Sequence, residues 1–438
     1  MPRLNSLIEL KGYYRKRPDK SRRSVISALA SAWEYSCGCA SIAVTPLAMD
    51  FSLTDDQKLI RDTVRQFMEA EVRPKVRQYD KEEHFPAEEL RALGAMGCCG
   101  MLVPEEWGGA GMDSIAYVTM LEEVARVDAA MAVTLSVTNS VACVPLWKHG
   151  TEEQKNKYLR RLATGEILGA FCLTEPAAGS DAGGIQARAV RHGDVYKLSG
   201  TKSWVSTGGD AGVLIAFAKT DPAAGSRGVT AFLLERKFPG FRVSRYEDKM
   251  GLRSSHTAEI VLDECEVPVA NRLGEEGQGL KVALEGLDGG RIGIASQAVG
   301  IAQGAMEASV KYAKQRRAFG QSISEFQAIQ WMIADMQTEI EAARCLVHQA
   351  AWARDRGNAR SGPIAARAKL YASEMVNRVV YKAVQVHGSA GYSRESDVER
   401  MYRDARVISI YEGTSEIQRI IIARDLLGQV SGVKAASK

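Results

Sequence analysis

Six short segments of this 438-residue chain gather residue types that can do chemistry. Ile410–Gln418 (IYEGTSEIQ) has an apolar entry, a single carboxylate at Glu412, then Gly413 and a Thr-Ser pair suited to open a helix. Phe171–Gly184 (FCLTEPAAGSDAGG) offers hydroxyls at Thr174 and Ser180, and its glycines let backbone approach a ligand closely. Lys202–Ser206 (KSWVS) sets a tryptophan beside hydroxyls, which suits an aromatic wall against a planar ligand. Leu287–Ala295 (LDGGRIGIA) places two glycines inside a helical stretch, each costing about 1 kcal/mol relative to alanine. Asp288 and Arg291 there lie three apart, on one helical face. Gln315–Gly320 (QRRAFG) supplies guanidinium groups, which suit a pyrophosphate. Gln385–Tyr392 (QVHGSAGY) is a glycine-rich break between helical stretches. Each segment alone also has an ordinary reading: a glycine-rich connection, a core tryptophan, a surface ion pair.

The elements that must position these residues follow from periodicity. From Thr54 to Ala70 apolar residues recur at helical spacing behind a Thr-Asp cap signal. Further helices are expected over Glu88–Met96, Asp113–Val127, Ala129–His149 and Thr151–Ala163. Near Leu168 the pattern changes to short β-rich runs separated by Gly and Asp/Pro turns. After Gly279 the helical period returns in Leu280–Phe319, Glu325–Arg356, Ile364–Gly388 and Thr414–Leu427, long enough to form a bundle. The expected division is an N-terminal helical domain (49–166), a middle β domain (167–276) and a C-terminal helical bundle (277–430). A poorly ordered extension (1–48) and a tail (431–438) flank them.

Composition excludes several function classes. Hydrophobic residues at 45% and charged residues at 25% are ordinary for a globular chain. The formal charge of +4 is concentrated in the first 48 residues, with eight Lys or Arg against three acids, so the rest is near neutral. A nucleic-acid partner would need a clustered basic face, and none is expected. The eight cysteines form no CxxC pair, and no HExxH or Cys/His zinc spacing occurs, so no metal site and no disulfide framework are expected. No run of 18 apolar residues suggests a membrane span. No GxGxxG follows a strand and no GxxxxGK[ST] occurs, so a dinucleotide is not held in the Rossmann manner. The first 48 residues read as a transit-type sequence, as a weak secretory signal, or, the reading favoured here, as sequence upstream of an initiator at Met49.

Taken together, in this order and across helical, β and helical domains, the six segments resemble the acyl-CoA dehydrogenase family. The resemblance covers nearly all of residues 50–428. The runs LDGGRIGIASQAVGIAQ, YEGTSEIQRIIIA, MDFSLTDDQ and VPEEWGGAGMD are most similar to its short-chain (butyryl-CoA) branch. The resemblance implies FAD between the β domain and the bundle. Phe171, Leu173 and Thr174 would line the flavin edge, with Trp204 and Ser206 on its other side. Arg316 and Gln327 would serve its pyrophosphate and adenine region. Gln385, Val386, His387, Gly388 and Ser389 would reach the FAD of a neighbouring subunit, which implies a homotetramer. Thr414 and Glu416 would complete the cofactor site, and Ser180, Asp288, Arg291 and Gly413 would contact the CoA thioester.

Glu412 matches the family's catalytic base. It would take the α proton of a short-chain acyl-CoA while hydride passes from the β carbon to flavin N5, giving a trans-2-enoyl-CoA. Burial among Ile408, Ile410 and Tyr411 is expected to raise its pKa into the working range. The Glu412 N–H and a ribityl hydroxyl would receive the negative charge on the thioester oxygen. Isovaleryl-CoA dehydrogenases place their base in the slot filled here by Gly290, and nitroalkane oxidases use Asp at the base position. Both branches are therefore disfavoured. Ser389 and His387 depart from the common pattern, and His387 reads as a structural histidine. Electron-transfer flavoprotein is the implied acceptor. The rival readings are an acyl-CoA oxidase or a flavin monooxygenase on the same fold, a branched or longer acyl substrate, and a flavin-free helical interaction protein. The compartment is expected to be the bacterial cytoplasm or, alternatively, the mitochondrial matrix.

Overall fold

The computed structural model describes residues 52–428. The expectations for 1–48 and for the 431–438 tail lie outside the described residues.

The described chain opens with α1 (Asp55–Phe67), where Thr54 and Gln57 form a reciprocal capping box. Next come α2 (Val76–Glu82), α3 (Ala87–Ala95), α4 (Ser114–Ala125) and α5 (Ala129–His149). By length and composition α5 could cross a membrane, yet its whole apolar window is buried inside the fold. A helical run at 152–163 (α6) closes this part.

The middle part is an eight-stranded sheet of β1 (Gly169–Cys172), β2 (Arg188–His192), β3 (Val195–Ser206), β4 (Val213–Lys219), β5 (Val229–Leu234), β6 (Phe241–Tyr246), β7 (Thr257–Pro268) and β8 (Arg272–Leu273). Its order is β6-β7-β3-β2-β4-β5-β8, with β1 parallel to β4. β4 and β5 are buried on both faces, which explains their unbroken apolar runs. Leu214, Phe232 and Leu234 join the core shared with Ile260. Ile215, Phe217 and Leu233 face the opposite core, where Tyr158 of α6 and Val282 of the next helix meet them.

The bundle contains α7 (Gly279–Gln315), α8 (Gln327–Asp355), α9 (Ser361–His387), α10 (Asp397–Ala405) and α11 (Ser415–Leu427). α7 is central, and its glycines let α4 approach. A Cβ added at Gly300 would lie 2.3 Å from the Glu122 carbonyl oxygen, and one at Gly304 2.3 Å from that of Arg126.

The short helix α2 has no counterpart in the sequence expectation, and two further differences have a clear physical cause. α7 stops at Gln315, and residues up to Phe319 enter a small hairpin pairing Arg317–Ala318 with Gln321–Ser322. Phe319 and Gly320 take left-handed backbone there, which no helix can continue. α10 has no sequence counterpart because its inward face is ionic as well as apolar. Arg400 donates to Asp404 (3.1 Å) and to the Val127 carbonyl (2.9 Å), all buried. Hydrophobic periodicity does not register a helix that buries an ion pair.

Gly300→Ala should lower the unfolding free energy by about 1–3 kcal/mol, because α4 and α7 must part to admit one methyl. Thermal denaturation measures this. An unchanged midpoint would show that the contact is not tight.

Candidate active site

A cleft of ≈ 210 Å³ opens where α5, the segment after β1, β3, α7 and the turn before α11 converge. Val133, Val137 and Val141 of α5 give it an apolar wall. Phe171, Leu173, Thr174 and Ser180 line one side, with the Phe171 ring edge-on to Phe217 at 5.0 Å. Trp204 and Ser206 of β3 line another, and Arg291, Glu412 and Gly413 complete it.

The two sheet segments are tied by a buried ion pair. Lys202 donates to Glu175 (2.7 Å) and to the Leu173 carbonyl (3.3 Å). Glu175 also accepts from the backbone N–H groups of Gln186 (2.5 Å) and Ala187 (3.1 Å). Ser203 N–H donates to the Thr174 carbonyl at 2.9 Å. Trp204 follows at φ 58°, and its side chain is left 60% exposed at the cleft. A large ring held out by left-handed backbone, with hydroxyls at Thr174 and Ser206 nearby, makes a slot for a planar ligand. This donor set fits a flavin.

Glu412 sits at φ 52° and Gly413 at φ 88°, two left-handed residues in succession. Such backbone persists in a non-glycine residue only when its surroundings fix it. Gln418 donates to the carbonyls of Glu412 (3.2 Å) and Gly413 (2.9 Å), and Lys369 donates to that of Gly413 (2.8 Å). Thr414 caps α11 by accepting from Ile417 N–H, and Tyr411 OH donates to Gln297. The carboxylate is partly open to the cleft and otherwise walled by protein, and its Oε2 is buried without a hydrogen-bond partner. Burial raises its pKa to about 7, against the pull of Arg291 and Lys369. A Cβ added at Gly290 would lie 2.6 Å from Oε2, so the glycine makes the space the carboxylate occupies. Arg291, one residue on, donates to Asp288, while its Nε is buried and unpartnered.

The cleft thus brings together Phe171, Leu173, Thr174, Ser180, Trp204, Ser206, Arg291, Glu412 and Gly413, and Asp288 joins through Arg291. Thr414 and Glu416 line a second, more open cavity of ≈ 350 Å³ with Glu374 and Arg406. Ile410 lines that cavity too and is 50% exposed, so it does not shield Glu412 as the sequence suggested. Arg316 and Gln327 are exposed beyond the end of α7, away from the cleft lining. Gln385, Gly388 and Ser389 are likewise exposed, whereas Val386 and His387 are buried. His387 pairs its Nδ1 with the Ala383 carbonyl (2.8 Å) and stacks on Tyr312 (4.4 Å), and burial lowers its pKa. Its ring is thus held within its own helix and against Tyr312.

The sequence reading missed Glu175, Lys369 and Gln418 as supports. Lys369 carried a signal: it falls in the apolar stripe of α9 with Ala365, Ala366 and Ala372. Among the described residues no cluster could hold a metal.

Lys202→Met should cost about 3–5 kcal/mol of stability, because it strands a buried carboxylate. Denaturant unfolding measures this. A loss below about 1 kcal/mol would mean that water reaches Glu175.

Comparison with known proteins agrees with this geometry. The acyl-CoA dehydrogenase N-terminal domain family matches residues 54–166, the middle domain 170–265 and the C-terminal domain 277–427. The chain is 45% identical over 375 residues to the short-chain specific acyl-CoA dehydrogenase of Clostridium acetobutylicum, covering 86% of this chain and 99% of that one. It is 45% identical to CarC, a subunit of the caffeyl-CoA reductase-Etf complex of Acetobacterium woodii, over 85% of this chain and 99% of that one. The structure of butyryl-CoA dehydrogenase from Megasphaera elsdenii superposes with a TM-score of 0.85 at 44% identity, covering 86% of this chain and all of that one. The chain belongs to the acyl-CoA dehydrogenase family, and is an FAD-dependent oxidoreductase of acyl-CoA thioesters.

Proposed function

We propose that the enzyme oxidises short, straight-chain acyl-CoA to trans-2-enoyl-CoA, with Glu412 removing the α proton. The observation that carries this reading is the Glu412 carboxylate itself. It is walled by protein, one oxygen has no partner, and burial has raised its pKa to about 7. A carboxylate of ordinary pKa is too weak a base for a thioester α carbon, and a neutral acid is none at all. Near neutral pH this one is substantially ionised and unpaired.

Bound FAD supplies the two-electron acceptor for the hydride that leaves the β carbon. Phe171, Thr174, Trp204 and Ser206 would hold its ring system, as Thr414 and Glu416 would complete its site. The chain's own groups do the rest. Val133, Val137 and Val141 receive the acyl chain and keep water away. Ser180, Asp288, Arg291 and Gly413 orient the thioester. The Glu412 backbone N–H stabilises charge developing on the thioester oxygen. The Glu412 carboxyl then holds the proton.

The short-chain preference rests on likeness to the Clostridium and Megasphaera enzymes. Electron-transfer flavoprotein is the proposed acceptor, supported by the CarC subunit of a reductase-Etf complex. A homotetramer is supported by the aromatic rings left bare around the end of α7 and the loop after α9: Phe319 is 95% exposed and Tyr392 86%. Gln385, Gly388 and Ser389 are exposed as well, free to meet a neighbouring subunit's cofactor, and Arg316 and Gln327 are exposed and free to serve the pyrophosphate and adenine region of an FAD. The bacterial cytoplasm is the compartment this reading favours, by its bacterial relatives.

Anaerobic titration of the FAD-loaded enzyme with butyryl-CoA should bleach the flavin, and Glu412→Gln should slow this by about 10²–10⁴-fold. The wild-type rate should rise as pH increases through 7, where Glu412 ionises. Octanoyl-CoA should be the poorer substrate. If it surpassed butyryl-CoA tenfold in kcat/KM, about 1.4 kcal/mol, the short-chain assignment would fail.

A further inference from the structure

Lys369 is one of the largest fully buried side chains in the protein, with 0% exposure, set among alanines of α9. An ammonium is costly to bury unless its charge and its protons are both used. Among the described residues it makes no ion pair within 4 Å, and its hydrogen bond goes to the Gly413 carbonyl at 2.8 Å. The charged groups that face it are Glu412 in the turn, Arg291 on α7, Glu374 on α9 itself and Glu416 on α11. Around Glu412 the opposing cations are Arg291 and Lys369, and the phenols of Tyr411 and Tyr117 also feel its charge.

A neutral donor already serves the turn, since the amide of Gln418 reaches the carbonyls of both Glu412 and Gly413. What Lys369 adds is charge. We propose that Lys369 is a positioning residue for the base: it fixes the carbonyl of Gly413, the residue next to Glu412, and its buried charge favours the ionised form of the Glu412 carboxylate. Burial lowers the lysine's own pKa to about 8, while that of Glu412 is raised to about 7. Both groups are therefore charged in the window between, and the two titrations are coupled. Above that window the lysine loses its proton and the carboxylate loses its counter-charge. The inference rests on Glu412 being the base.

The test is the pH dependence of flavin reduction by butyryl-CoA in the anaerobic, FAD-loaded enzyme, with Lys369→Gln and Lys369→Met beside the wild type. Lys369→Gln keeps a donor and removes the charge. It should raise the apparent pKa by about one unit. At pH 7 the rate should fall about fivefold, and at alkaline pH it should return to the wild-type plateau. Lys369→Met removes the donor too, so the same displacement should come with a lower plateau. A purely structural lysine would give a uniform loss at every pH. Wild-type profiles in both variants, a uniform loss in both, or failure of both to retain FAD would each overturn the proposal. A wild type that no acyl-CoA reduces would overturn the base assignment along with it.

Discussion

Everything at this site depends on one unfavourable arrangement: a carboxylate held away from bulk water with an oxygen that none of the described residues satisfies. Left alone, such a group would hydrate, pair or swing out. It stays because Glu412 is placed by backbone rather than by side-chain contacts. Two consecutive left-handed residues aim it, and three donor contacts from Gln418 and Lys369 lock the carbonyls of that turn. The cost of strained backbone and buried charge is of order a few kcal/mol, which the surrounding helices must offset. The return is a carboxylate of raised pKa that faces the cleft with no partner among the described residues to displace.

The rest of the fold can be understood as making room for that arrangement. Gly290 is empty where Glu412 Oε2 sits, and Gly300 and Gly304 let α7 lie close on α4. α7 can therefore be both the core of the bundle and one wall of the cleft. On the opposite side the Glu175–Lys202 pair does for the sheet what the Gln418–Lys369 pair does for the turn. It fastens two chain segments through backbone groups, leaving Trp204 and Thr174 facing the cleft. Both fastenings are buried lysines reaching carbonyl oxygens.

Much of this was legible in the sequence, and the limits have a physical pattern. Helical and β segments were readable because their apolar residues repeat with the period of their own backbone. Glu412 stood out as a lone carboxylate between an apolar run and a helix cap, and its proposed role came from the family resemblance. The Asp288–Arg291 contact followed from helical spacing alone. What escaped are interactions whose partners lie far apart in sequence. α10 was hidden because Arg400 and Asp404 turn inward to Val127 and Leu252. Lys369 was passed over, despite its place in the apolar stripe of α9, because a lysine in an alanine-rich helix usually faces water. Ile410 was misjudged because the turn at Glu412 sends neighbouring side chains to different cavities. The segments at Arg316 and Gln385–Ser389 lie outside the lining of the cleft in a single chain, so the cleft alone gives no reading of them.

The most direct test of the central claim separates proton removal from redox chemistry. With the flavin already reduced, hydride transfer is blocked, but a base beside the α carbon can still exchange its proton. Butyryl-CoA incubated in D₂O with the reduced enzyme, followed by proton NMR, should lose its α-proton signal in the wild type and keep it with Glu412→Gln. Retention of that signal in the wild type, or equal loss in the variant, would contradict Glu412 as the base.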